Sequence, residues 1–236
     1  MAYDLWYWPG IPGRGEFVRL ALEAGAIPYH DRAIEAGEEG MAAIGADIGR
    51  DRDTPPFAPP YLVSGKMTIG QTANILFYLG QKHGLAPKSV AGRLWVNQCQ
   101  LTIADMVTEA HDTHHPIASG AYYEEQKPEA KRRSADFREA RMRTFLDYFE
   151  DVLAKQGDWL AGRTWSYADL SLFHLIEGLR FAFPKRMKTL ETDLPRLGRL
   201  HDAVAEIPGI KAYLASDRRQ PFSNGIFRHY PELDAA

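Results

Sequence analysis

The chain carries a single cysteine, Cys99, and one thiol cannot close an internal disulfide. Its N-terminus has neither the charged region nor the apolar run of a secretory signal, so a reducing cytoplasm is the expected compartment. No stretch approaches the roughly 18 uncharged apolar residues that a bilayer crossing needs, and no membrane partner is expected. Excess positive charge is missing too. With 28 Lys and Arg against 31 Asp and Glu, the formal net charge of −3 sets up no global field for phosphate backbones. Nucleic acid is therefore not expected as a partner. The one densely charged run, Lys127 to Arg143, mixes both signs at helical spacing and reads as a solvated helix face. Internal repeats and low-complexity tracts are also lacking.

What is present is enough apolar sequence for two compact domains: 236 residues, 45% hydrophobic and 25% charged. Short extended runs alternate with helical ones over the first third. A strand is expected over Tyr3–Trp8, a helix after Gly13 with Phe17, Leu20, Ala21 and Ala24 on one face, and a second strand over Tyr29–Ile34. Residues 36–58 are rich in Gly, Asp and Arg, and read as a mobile loop holding a short helix. Tyr61–Val63 and Met67–Ile69 flank a Ser64-Gly65-Lys66 turn as a hairpin, and helical spacing resumes over Thr72–His83. Beyond Gly84-Leu85-Ala86-Pro87 strand signals vanish and helical patterns run to about residue 214.

The expected architecture is an α/β unit over residues 1–84, a linker over 85–90, and an all-α unit with a C-terminal tail over 91–236. In the first helix of the second unit, Trp95, Cys99, Ile103, Met106 and Ala110 form an apolar stripe. Leu94, Gln98, Leu101 and Asp105 form a second, mixed face, suited to the other domain or another subunit.

Chemistry concentrates in Pro59-Pro60-Tyr61-Leu62 through Gln71-Thr72. A proline that starts a strand accepts a cis peptide bond and exposes backbone polar groups. A helix opening at Thr72 offers N–H groups without intrahelical partners, which attract a carboxylate, and Thr72 adds a hydroxyl. Taken alone, Thr72 is a helix cap, and Tyr7 is a strand residue that packs its ring and turns its hydroxyl to water.

Together these segments resemble the cytosolic glutathione transferases of the tyrosine type (sigma, alpha, mu and pi-like). Pro60, Gln71 and Thr72 match that family's cis-proline and helix-opening pair without a gap. Leu5-Trp6-Tyr7-Trp8, Gly13-Arg14 and Glu16-Phe17-Val18-Arg19 match its first strand and helix. The resemblance implies a thioredoxin-like first domain and glutathione as co-substrate, with no metal. Pro59, Pro60, Gln71 and Thr72 would hold the tripeptide, while Tyr7, aided by Arg14, would activate its thiol for attack on a small hydrophobic electrophile, as in detoxification. Asp105 would reach glutathione bound to the other subunit of a homodimer; a solvent-facing or interfacial carboxylate is the competing reading. Trp8, Ile11, His115 and Phe222 are candidates for the electrophile pocket, and Arg50 and Arg52 for further glutathione contacts. A non-catalytic ligand-binding protein, or a glutathione-dependent peroxidase, ether lyase or isomerase, are the alternatives.

Two departures from the family pattern matter. One extra residue in Pro9-Gly10-Ile11-Pro12 separates Tyr7 from Gly13. Pro59 also lacks the N–H that the family offers to the cysteinyl part of glutathione. Ser166 and Asp169 are spaced as a capping box, with Asp in place of Glu. His111, His114 and His115 share a helix face, where a polar pocket wall is preferred over a metal site. Cys99, on the core stripe, is expected to be inert.

Overall fold

The computed structural model describes residues 2–235. β1 (Tyr3–Trp6) alternates buried Tyr3 and Leu5 with half-buried Asp4 and Trp6, as a pleated strand with one covered face must. It leads into α1 (Gly13–Ala24), and β2 (Tyr29–Asp31) returns parallel to β1, with Tyr3 opposite Tyr29 and Leu5 opposite Asp31. A helical excursion follows through α2 (Arg32–Glu35), a 3-10 turn at Gly37–Glu39 and α3 (Gly40–Ile48). β3 (Tyr61–Ser64) then pairs antiparallel with β1, a hairpin leads to β4 (Met67–Gly70), and α4 (Thr72–His83) closes the unit. The sheet order is β2-β1-β3-β4, with Leu5, Leu62 and Ile69 buried in a core shared with Phe17, Leu20, Ile75 and Leu79 from α1 and α4.

Two expectations need correction here. The strand expected over Tyr3–Trp8 ends at Trp6, because Pro9 and Gly10, the latter at φ 78°, turn the chain toward α1. The strand expected to reach Ile34 stops at Asp31, whose carboxylate is taken by the buried Arg19 at 2.6 Å, and α2 begins there with Ala33 in the core. The stretch read as a mobile loop holding a short helix does hold one, the nine-residue α3, with Ile44 and Asp47 buried and Asp47 accepting a hydrogen bond from Tyr61 Oη at 2.9 Å.

The second half is helical: α5 (Val90–Asp112), α6 (Lys127–Asp136), a π turn at Phe137–Arg141 into α7 (Met142–Gln156), then α8 (Tyr167–Ala182), α9 (Pro184–Leu190), α10 (Pro195–Ala205) and α11 (Pro208–Leu214). α8 is buried almost throughout, as its near-continuous apolar sequence requires, and stands at the centre against α1, α5 and α10. Asp169 starts it, accepting N–H bonds from Ser166 (2.7 Å) and Leu160 (2.8 Å). α5 has the two faces its sequence shows: Cys99, Ile103, Met106 and Ala110 are buried, while Leu94, Gln98, Leu101 and Asp105 are exposed. Within the charged run, Arg133 and Arg141 both pair with Glu109 of α5, at 3.1 and 2.8 Å. Among the described residues no helix is long and apolar enough to cross a membrane.

The C-terminal tail, which carries no sequence signal of regular structure, folds back over the molecule. Asp234 caps α9 by accepting from Lys185 N at 2.7 Å, and Tyr230 stacks on Tyr123 at 3.8 Å. Gln220 Oε1 accepts the N–H of Gly10 at 3.1 Å, so the tail grips the extra-residue segment before α1.

Candidate active site

Tyr7 follows β1 on the side of the sheet that faces α1, and only 4% of it is exposed. Its hydroxyl accepts the backbone N–H of Arg14 at 2.8 Å, in the first turn of α1. The fit depends on glycine. Gly13 lies at φ 45°, and a Cβ there would stand 2.1 Å from Tyr7 Oη; a Cβ on Gly15 would stand 2.5 Å from the ring. The Gly-Arg pair therefore does structural work that its sequence spacing only hints at: it lets a helix N-terminus reach a phenol oxygen. Burial raises the Tyr7 pKa above the ordinary tyrosine range, against the lowering effect of the Arg14 N–H and the Arg14 and Arg19 charges. The group is a protonated phenol at neutral pH.

Arg19 packs over the Tyr7 ring at 5.8 Å and donates to the Pro12 carbonyl at 3.3 Å, which holds the turn into α1. It is 1% exposed, as is Glu16. Glu16 accepts from Tyr213 Oη of α11 at 2.9 Å, so the Glu-x-x-Arg element stitches the sheet unit to the helical one. Asp31 and Glu16 hold the Arg19 guanidinium firmly protonated, outweighing the effect of its burial. Sequence reading missed Tyr213, because nothing local links positions 197 residues apart. It also missed His174, fully buried in α8, whose ring meets the Gly13 carbonyl at 3.3 Å and stacks on Phe222 of the tail at 5.6 Å. A lone imidazole inside the run Leu172–Ile176 was the one available signal.

The second cluster lies at the start of α4. The Pro59–Pro60 peptide bond is cis. Gln71, the N-cap of α4, has a positive φ of 68°, uncommon for a residue with a side chain. Thr72 Oγ1 is buried without a hydrogen-bond partner. A cavity of about 530 Å³ opens here between α1, α4 and α5, lined among others by Arg14, Phe17, Gln71, Thr72, Gln100 and Val107. The structure thus brings Arg14, Gln71 and Thr72 to one cavity, and Tyr7, which is not among its lining residues, is bonded to the Arg14 backbone.

The other sequence candidates lie apart from that cavity. Asp105 is exposed on the outer face of α5. Trp8 and Ile11 are half-buried, Ile11 beside Gly225 of the tail, and Phe222 sits on His174 and Phe181. His115 is buried, its ring bonded to the Ala121 carbonyl at 3.1 Å. Arg50 and Arg52 pair with Asp47, Arg50 at 3.2 Å. His111, His114 and His115 stack within 5.0 Å of one another, but no group of three metal-binding side chains occurs among the described residues. Burial and then the Arg14 charge push the His111 imidazole below its ordinary range, and burial takes His114 down to about 3. Burial also pushes the Cys99 thiol up to about 12, leaving it inert.

A thioredoxin-like sheet unit with a cis-proline before β3, followed by an all-helical unit, defines the glutathione transferase fold class. Comparison with known proteins agrees. Residues 111–217 match the family described as glutathione S-transferase, C-terminal domain. The chain is 21% identical to a glutathione S-transferase of Plasmodium falciparum, covering 92% of this chain and 97% of that one. It is 26% identical to glutathione S-transferase Mu 6 of Mus musculus, over 94% of each. Among solved structures, prostaglandin synthase D of Nilaparvata lugens shares the fold with TM-score 0.70 at 21% identity, covering 94% of this chain and 100% of that one. The Onchocerca volvulus Pi-class glutathione S-transferase does so with TM-score 0.69 at 22% identity, covering 91% and 92%. The chain is thus similar to the glutathione S-transferases over nearly its whole length, with residues 111–217 matching that family's C-terminal domain.

Proposed function

We propose that the protein conjugates glutathione to small hydrophobic electrophiles, holding the tripeptide along Pro59, Pro60, Gln71 and Thr72 and ionising its thiol beside Tyr7. The observation that carries this reading is the hydrogen bond that Tyr7 Oη accepts from Arg14 N at 2.8 Å. A hydroxyl has one proton to give and two lone pairs to receive. An accepted N–H bond at a helix N-terminus fixes the oxygen, polarises the O–H and leaves its proton free for a sulfur atom. Because burial keeps the phenol protonated, Tyr7 acts as a donor to the thiolate and not as a base.

A thiol of pKa about 8.5 is only about 3% ionised at pH 7, and lowering it by about two units takes roughly 2.7 kcal/mol of differential stabilisation. A charge-assisted hydrogen bond contributes roughly 1.5 to 3 kcal/mol. Tyr7 thus supplies most of what is needed, and the helix N-terminus and the Arg14 charge supply the remainder. The thiol proton leaves to solvent; the thiolate attacks the electrophilic carbon, and the leaving group departs with its electron pair, or the double bond that is attacked takes up a proton.

The protein works as a homodimer in a reducing cytoplasm. Support comes from Phe57, 94% exposed, and from Leu94 and Leu101, 59% and 49% exposed on the outer face of α5 beside Asp105. Apolar side chains exposed along one face fit an interface between two copies. Asp105 then reaches the glutathione of the neighbouring subunit.

Pro59 favours a second reading, since it offers no backbone N–H at a position where glutathione needs one: a binding protein of this fold without turnover. Isomerisation and peroxide reduction would use the same activated sulfur. Retention on immobilised glutathione together with conjugation of an aromatic electrophile panel, lost on Tyr7→Phe, supports the enzyme. Retention without turnover of electrophiles, peroxides or isomerisable substrates supports the binding protein.

A further inference from the structure

Gly13 and Arg14 share one peptide group, and both of its polar ends are taken. The Arg14 N–H donates to Tyr7 Oη at 2.8 Å, while the Gly13 carbonyl, on the opposite side of the same plane, meets Nε2 of His174 at 3.3 Å. A trans peptide is rigid and planar with its N–H and C=O antiparallel, so whatever fixes the carbonyl also aims the N–H. A hydrogen bond accepted by the carbonyl polarises the amide as well, and strengthens the bond that the N–H gives. Burial keeps the imidazole neutral, with its pKa taken down to about 3. A carbonyl only accepts, so the ring proton sits on Nε2 and Nδ1 is bare.

Three phenyl rings set the plane of that imidazole. Phe222 stacks on it at 5.6 Å, and Phe17 and Phe227 meet it edge-on at 4.7 and 5.8 Å. Within this apolar box Nδ1 is buried without a partner, and an unmet polar atom there costs stability. A leucine or phenylalanine would fill the same box without that cost. Nor does the carbonyl depend on the imidazole for a partner, since Gly13 is the first residue of α1 and also offers its oxygen to the N–H four residues on. What a hydrocarbon side chain could not supply is a donor that orients the Gly13–Arg14 peptide.

We infer that His174 is a positioning residue for thiol activation: its Nε2–H holds the Gly13–Arg14 peptide so that the Arg14 N–H stays aimed at Tyr7 Oη. The inference rests on the reading above of Tyr7 as the group that ionises the thiol of glutathione. Fully buried, His174 acts only through that peptide. Phe222 and Phe227 hold its ring, which gives the C-terminal tail a part in the chemistry.

The test uses the full-length protein and reads the pKa of the bound glutathione thiol by thiolate absorbance, glutathione affinity by calorimetry, and kcat/KM for conjugation of an aromatic electrophile. His174→Phe keeps a ring but no donor. It is expected to raise the bound thiol pKa by about half a unit and to lower kcat/KM about threefold near neutral pH, the size of one neutral hydrogen bond, with glutathione affinity within about twofold of wild type. His174→Leu is a second variant without a donor, should the larger ring not fit. His174→Gln, whose side-chain amide can donate to the same carbonyl, is expected to recover at least half of both losses. The thiol pKa is read on folded, ligand-bound protein, so a variant that is merely less stable leaves it unmoved. An unchanged thiol pKa in the Phe and Leu variants, or a loss of turnover without a thiol shift, overturns the role of His174 and leaves the Tyr7 reading standing. A wild-type thiol that binding does not acidify, or one that Tyr7→Phe does not move, overturns both.

Discussion

The two ends of the site are built by opposite rules. At the start of α4, polar atoms are left unmet: Thr72 Oγ1 and Gln100 Oε1 are buried without partners around an open cavity. At the start of α1, where Glu16 Oε1, Arg19 Nη2 and His174 Nδ1 are likewise buried without partners, what is missing is space. Tyr7 is flanked by Gly13 and Gly15, bonded by Arg14 N and overlain by Arg19, and the loop that follows it is tied through Gly10 to the C-terminal tail. The first end has open space to offer a ligand. The second has geometry that tolerates no side chain on Gly13 or Gly15. Binding and chemistry should therefore respond separately to mutation.

The largest expected effect comes from filling the tight end. Gly13→Ala places a methyl group where Tyr7 Oη now stands, on a backbone at φ 45° that disfavours alanine. A displacement of about 1 Å at a reacting group can cost roughly 100-fold in rate, and kcat/KM for conjugation should fall by about that much. Retention on immobilised glutathione should survive. Loss of binding in step with turnover would show that the two ends are not independent.

The buried histidines also predict a pH dependence. Burial takes the His174 and His114 imidazoles down to about 3 in the fold, against an ordinary value of 6.5. Below pH 6.5 the unfolded chain takes up these protons and the folded chain does not, so stability is present above pH 6.5 and is lost as pH falls toward 3. Each ring contributes a slope of about 1.4 kcal/mol per pH unit in that window. Melting curves from pH 7 to pH 4 should show a shallower fall for His114→Gln than for wild type. Parallel curves would contradict the assignment of a neutral buried ring.

The smallest expected effect is at the open end. Pro59→Val restores a backbone N–H ahead of the cis-Pro60 bond, and one neutral hydrogen bond is worth about 0.5 to 1.5 kcal/mol. Calorimetry should find glutathione bound roughly two- to tenfold more tightly. Unchanged affinity would mean that this backbone position makes no contact with the ligand.

The open end was the more legible one in the sequence. Pro60, Gln71 and Thr72 sit on one short stretch, where turn chemistry and helix start are local signals, and the helix spans Thr72–His83 as its periodicity predicts. The stripe of α5 and the Ser166–Asp169 start of α8 were readable for the same reason. The closed end depends on contacts between distant residues: Glu16 with Tyr213, Gly13 with His174, Gly10 with Gln220. No periodicity encodes such pairs. The extra residue before Gly13 appears in the sequence as an irregularity and in the structure as the tail's attachment point. Asp31, which ends β2 early, is likewise explained by Arg19 from another element and not by its neighbours in sequence.

The central claim is that Tyr7 ionises a bound thiol, and it is tested most directly by titrating the thiol of enzyme-bound glutathione through its thiolate absorbance. The account predicts a bound thiol about two pKa units below the free one in wild type, returning most of the way to the free value in Tyr7→Phe with glutathione still bound. A thiol pKa that is equally low in Tyr7→Phe, with conjugation intact, would contradict it.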